Sequence, residues 1–153
     1  MPHHPTSSSD PFDLLVTNVA ALRAAGKLST RSLAREAHIS RSSVLNLENG
    51  HAKLSLHLLD KLARALDVKT GSLLGKRPVP RDEADGLIEV VLAHNLVAAR
   101  KRLKLTQEQL SERSGIHRGV IAHIERQARN PSLQTLAKLA GALDLSIEGL
   151  LTK

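Results

Sequence analysis

Residues 28–74 align with residues 105–151 at a constant offset of 77 and without a gap. Identical pairs run from Leu33/Leu110, Ile39/Ile116, Arg41/Arg118 and Glu48/Glu125 through Ser55/Ser132, Leu56/Leu133, Lys61/Lys138, Leu62/Leu139, Ala63/Ala140, Leu66/Leu143 and Asp67/Asp144. Each copy closes on a Leu-Leu pair, Leu73-Leu74 and Leu150-Leu151, and the match extends upstream to Arg23/Arg100 and Lys27/Lys104. A period this long marks a duplicated globular unit, not a solenoid of short repeats. Whatever the fold, it has to close within one period, twice. The join GKRPVPRDEADG, with its prolines, glycines and charges, reads as a linker of limited flexibility. The expected organisation is a disordered N-terminus over 1–10, a first domain over 11–75, a linker over 76–82 and a second domain over 83–153. The first helix of the second copy is expected to open near Arg81 or Asp82.

Composition narrows the fold class. Hydrophobic residues make up 41% of the chain, yet Phe12 is its single aromatic. The cores are therefore aliphatic, which suits small helix bundles better than sheets. The scarcity of aromatics also argues against readers of single-stranded nucleic acid, which stack bases on aromatic rings. Both halves are basic: 10 Lys/Arg against 6 Asp/Glu over residues 1–76, and 12 against 9 over 77–153. A net charge of +7 favours polyanionic partners.

Each copy parses into five helices. In the first, Asp10 caps a helix with Pro11 at its first position, Leu15, Val19 and Leu22 recur at helical spacing, and Gly26 stops it. Ser29, Ser40 and Ser55 cap the next three, and Leu73-Leu74 lie on a short fifth. In the second copy the caps are Thr106, His117, Ser132 and Ser146. Gly115 occupies the turn where the first copy has His38, the less favourable residue for a left-handed conformation.

The second and third helices of each copy are short and joined by a tight turn, the helix-turn-helix pattern. The later helix, 41–48 or 118–125, turns Val44 and Leu47, or Ile121 and Ile124, inward. Its outward residues are small or polar around a leading arginine. The expected base contacts in the major groove are Arg41, Ser42, Ser43 and Asn46, and Arg118, Gly119, Ala122 and His123. Leu45 and Val120 also face outward. Ser29, Thr30, Thr106 and Gln107 open the preceding helices, and Lys53, Arg126 and Arg129 follow the reading helices; these are the expected phosphate-backbone contacts.

In these residues each copy resembles the lambda-repressor-like, or XRE-type, helix-turn-helix domain. The run LTQEQLSERSGIHRGVIAHIERQARNPSLQTLAKLAGALDLSIEGLL follows the pattern almost throughout. The first copy, LSTRSLAREAHISRSSVLNLENGHAKLSLHLLDKLARALDV, departs at His38 and at Leu54, where the second copy has Pro131. The resemblance implies an all-α fold of two tandem five-helix DNA-binding domains. It also implies a sequence-specific transcriptional regulator, expected to be a repressor, that binds double-stranded DNA as a homodimer. An antitoxin-like or other protein-interaction module is the alternative. Glu48 and Glu125 sit at the edge of the buried face, where a carboxylate needs a partner. Arg23 and Arg100 precede them by the same 25 residues, and the resemblance implies that Arg23–Glu48 and Arg100–Glu125 are ion pairs.

Other chemistries find little support. Without cysteine there are no disulfides or Cys-zinc sites. Among the histidines, His117 and His123 are too far round a helix from one another, His51 and His57 straddle a loop and His38 lies in a turn, so no metal is expected. No catalytic dyad or nucleophile elbow is present, so no enzyme activity or cofactor is expected. No run approaches the ~18 apolar residues of a membrane span, and the N-terminus lacks a signal-peptide core. The expected location is the cytoplasm, on the nucleoid when bound to DNA. Leu87, Ile88, Val91 and Leu92 spread over more than one helix face, either completing a core or forming a dimer interface. One chain with two unlike reading helices implies unlike half-sites, whereas a palindromic site implies a two-fold pair of chains.

Overall fold

The computed structural model describes residues 10–50 and 53–153. The expected disordered N-terminus and His51 fall outside the described residues, apart from Asp10. The chain divides into two compact units. One runs up to Lys53 and includes Leu58–Asp82; the other joins Leu54–His57 to Glu83–Lys153. The described residues form helices without strands. In order these are α1 (Pro11–Ala25), α2 (Thr30–Glu36), α3 (Arg41–Glu48), α4 (Leu56–Ala65), a 3-10 helix (Gly71–Leu74), α5 (Ile88–Arg102), α6 (Gln107–Ser114), α7 (Arg118–Glu125), α8 (Leu133–Ala142) and α9 (Ile147–Leu150).

Local chemistry explains most of the boundaries. The Phe12 N–H donates to Asp10 Oδ1 at 2.8 Å, and Pro11 lacks only a donor that the first turn does not use. The hydroxyls of Ser29, Ser40, Ser132 and Ser146 accept from the backbone of Ser32, Ser43, Thr135 and Gly149 respectively. Thr106 and Gln109 form a reciprocal capping box. The fifth helix is α-helical only in the second copy. There Ser146 caps it. In the first copy Lys69, with no side-chain oxygen to cap a helix, stands where the second copy has Ser146, and the segment forms a 3-10 turn after Thr70.

The first helix of the second copy starts at Ile88, later than Arg81 or Asp82. The reason lies in unit one. Lys69 N–H donates to Val79 O at 2.7 Å and Arg81 N–H to Asp67 O at 3.0 Å, forming a bridge between Val68 and Pro80. The Arg81 guanidinium donates to Thr70 Oγ1 and lies 3.6 Å from Asp60. Residues 79–81 are thus held extended on unit one and are not free to wind into a helix.

The two cores are built from equivalent aliphatic positions. Val19/Leu96, Leu33/Leu110, Val44/Ile121, Leu47/Ile124, Leu62/Leu139 and Leu73/Leu150 are all essentially inaccessible to solvent. One polar residue makes the same link in both, buried at Asn18 and half-buried at Asn95. Asn18 donates to Leu73 O and Gly75 O, and Asn95 donates to Leu150 O and Thr152 O. Each amide satisfies carbonyls at the end of its own domain's last helix and ties that end to the first helix. On α5, Ile88, Val91 and Leu92 are buried, while Leu87 is 64% and Val90 43% exposed.

Backbone exceptions repeat at the same offset. Lys27/Lys104 and Asp67/Asp144 adopt positive φ in both copies. At two further places glycine stands in one copy only: Gly50 against Gln127, and Gly115 against His38, all with φ between 55° and 74°. Replacing His38 or Gln127 by glycine is expected to stabilise its own unit by about 0.5–1 kcal/mol, the left-handed strain removed less the entropy that glycine adds to the unfolded chain. Urea midpoints of the two variants measure this. A destabilised chain in either case means that the side chain contributes more than the strain it causes.

Candidate nucleic-acid interface

In unit one, α2 and α3 meet at the turn through Ala37 and His38. Ile39 N–H reaches back to Ala34 O at 3.0 Å, and Ser40 then caps α3. In unit two the turn passes through Gly115 in the left-handed conformation, and His117 Nδ1 accepts from Gly119 N–H at 3.0 Å to start α7. A Cβ on Gly119 stands 3.1 Å from that Nδ1, so any larger residue there crowds the cap.

Val44, Leu47, Ile121 and Ile124 are buried and fix the rotation of α3 and α7. That leaves Arg41, Ser42 and Asn46 exposed on α3, with Ser43 half-buried. On α7, Arg118 and His123 are exposed, and Gly119 and Ala122 are half-buried. The hydroxyls of Ser42 and Ser43 lie 3.0 and 2.8 Å from Ser40 Oγ, a cluster at the head of α3. Lys53, Arg126 and Arg129 are exposed, as are Ser29 and Thr106, while Thr30 is half-buried. Gln107 is half-buried, and its Nε2 donates to Glu125 Oε2 at 2.7 Å.

α3 and α7 are tied to the first helix of each copy. In unit one Arg23 Nε donates to Glu48 Oε1 at 2.6 Å, and its Nη1 to Leu28 O at 3.0 Å. In unit two Arg100 engages both oxygens of Glu125, at 2.7 and 3.2 Å, and donates to Leu105 O at 2.9 Å. Side-chain exposure is 25% and 20% for the first pair but 14% and 9% for the second. The second pair is therefore better shielded and has the better geometry, with Gln107 as an extra donor.

Two short helices at a tight turn, the later one anchored by two aliphatic residues and an acid, recur twice. A helix-turn-helix family model matches residues 19–73 and again 96–150, together more than half of the chain. The chain belongs to the helix-turn-helix family. Among its relatives, the control protein C.SmaI of Serratia marcescens is 47% identical over 66 residues, covering 43% of this chain and 79% of that protein. The immunity repressor protein of Bacillus phage phi105 is 41% identical over 61 residues, 40% of this chain and 42% of its own. Of solved structures, the restriction-modification controller protein C.AhdI from Aeromonas hydrophila is 37% identical with a TM-score of 0.39, covering 40% of this chain and 94% of that one. Each of these matches has the extent of one copy of the repeat.

Sequence reasoning passed over Asn18/Asn95 and the turn of Gln107 toward Glu125. The asparagines carried a signal, since they are identical at the repeat offset and interrupt an apolar helix face. Gln107 carried none, because its counterpart is Thr30. Among the described residues no group of three His, Asp or Glu could hold a metal ion, and no helix is long and apolar enough to cross a membrane.

Proposed function

We propose that the chain binds double-stranded DNA in a sequence-specific manner, with α3 and α7 entering the major groove, and regulates transcription as a repressor. The observation that carries this reading is the exposed arginine at the same point of two anchored helices, Arg41 and Arg118, each surrounded by small or polar residues. Arginine pairs with guanine O6 and N7, and small neighbours allow the helix backbone to come close. Asn46 suits adenine, and His123 meets a base edge or a phosphate. Ser29, Thr30, Thr106, Lys53, Arg126 and Arg129 flank these helices and supply phosphate contacts. The relatives named as control and repressor proteins support the same reading. The protein then acts in the cytoplasm, on the nucleoid.

Exposed Leu87 and Val90 favour self-association, and a homodimer is the expected state on DNA. A protein-partner role, as in antitoxins, is the competing reading. Selection of bound duplexes from a random pool, followed by titration across salt concentrations, separates them. One enriched motif with a steep salt dependence supports DNA reading; no enriched motif overturns it. The symmetry of that motif distinguishes a single chain on unlike half-sites from a two-fold pair. Arg41→Ala and Arg118→Ala are each expected to cost about 1–3 kcal/mol on the selected duplex. An equal loss on every duplex reassigns that arginine to phosphate.

A further inference from the structure

The first helix of each pair changes its net charge between the units, since α2 carries Arg31, Arg35 and Glu36, for +1, and α6 carries Glu108, Glu112 and Arg113, for −1. α2 carries Arg31 and Arg35; at the same repeat positions α6 carries Glu108 and Glu112. All four are exposed, and at i, i+4 each pair shares one face of its helix. In unit two Glu108 Oε2 lies 3.9 Å from Arg118 Nε, at the head of α7. In unit one, among the described residues, Arg31 and Arg41 enter no ion pair.

Folding does not require this reversal. A carboxylate suits the first turn of a helix, where Glu108 stands, and a guanidinium does not, yet Arg31 occupies the same turn of α2. An ion pair as exposed as Glu108–Arg118 contributes little to stability. The difference acts on whatever meets this face. Arg31 and Arg35 on α2 add attraction to any phosphate backbone, whatever its sequence. A carboxylate beside Arg118 repels phosphate and orients the guanidinium. Binding by that head then depends on base contacts strong enough to offset the repulsion. The second reading helix is also the better held, through the two hydrogen bonds of Arg100 to Glu125 and the further one from Gln107. A rigid reader discriminates more sharply than one that can adjust to a wrong site.

We infer, resting on the DNA reading above, that the two heads divide the work. Unit one, through Arg31 and Arg35, draws sequence-independent affinity from α2, where unit two draws it from Arg126 and Arg129 behind α7. Unit two, through the Glu108–Arg118 pair, supplies the larger share of discrimination. Glu108 is thus a positioning residue that acts through Arg118.

The test uses the full chain and two duplexes of equal length, one selected from a random pool and one scrambled. Arg31→Glu with Arg35→Glu is expected to weaken both duplexes alike, by about tenfold or more, and to lower the log–log salt slope by about two. Its preference for the selected duplex stays within about twofold of wild type. Glu108→Arg with Glu112→Arg is expected to strengthen the scrambled duplex more than the selected one, so that the preference falls by about tenfold. Glu108→Asp retains the preference. A preference untouched by the Glu108 double variant, or lost in the Arg31 double variant, overturns the division. Should either double variant melt below the assay temperature, Arg31→Gln and Glu108→Gln test the same directions. A wild-type chain that binds both duplexes equally, or neither, overturns the sequence-specific DNA reading itself, whereas a wild-type preference that the two double variants do not alter as stated overturns only the division of labour.

Discussion

Glu125→Gln is expected to destabilise unit two by about 3 kcal/mol, because it leaves the Arg100 guanidinium in a shielded site without its counter-charge. Glu125 accepts three hydrogen bonds, two from Arg100 and one from Gln107, and its side chain is only 9% exposed. Glu48→Gln in unit one is expected to cost less, about 1–2 kcal/mol, since that pair is more open to solvent and screening. Urea unfolding followed by circular dichroism measures both, with hydrogen exchange at α3 and α7 assigning each transition to its unit. Two units in one chain need not unfold together, so a single fitted midpoint is not an adequate readout. Equal, negligible losses at both positions contradict the clamp. The pair Arg100→Met with Glu125→Leu is expected to recover most of the stability, as apolar replacement of a whole buried pair usually does.

Ile121→Ala is expected to cost about 3 kcal/mol, within the usual range for an aliphatic side chain cut back to alanine in a packed core. Ile121 is fully inaccessible and, with Ile124, sets which face of α7 looks outward. The expected consequence extends to binding. With that anchor shortened, α7 has room to roll, and the preference for a selected duplex should fall further than the loss of folded protein explains. Val44→Ala in unit one should cost less, because valine loses fewer buried atoms. Binding measured well below the melting point separates the two effects. A preference that tracks only the folded fraction means that Ile121 serves stability alone.

Much of the candidate interface was legible because it was written twice. The repeat singled out Arg41/Arg118 and Glu48/Glu125 from many exposed charges, and the same offset located Arg23 and Arg100. Cap residues were equally readable, since a serine, threonine or aspartate before an apolar period meets the orphan donors of the next turn locally. What escaped were features decided at long range. The start of α5 at Ile88 depends on residues 79–81 being held against Val68 and Lys69, and no local propensity announces that. Thr70 turns its hydroxyl to Asp60, ten residues back on α4, and no local pattern announces that contact either.

By itself the sequence determined the duplication, the helical class, the aliphatic cores and the two arginine-led helices α3 and α7. Each of these follows from periodicity, composition or local capping, which act within a few residues of the chain. Only the tertiary structure decided that the two clamps are unequal, that Gln107 belongs to the Arg100–Glu125 pair, and that Glu108 approaches Arg118. Those are contacts between side chains that separate helices bring together. Their strength is set by burial and distance, neither of which is encoded at any single position.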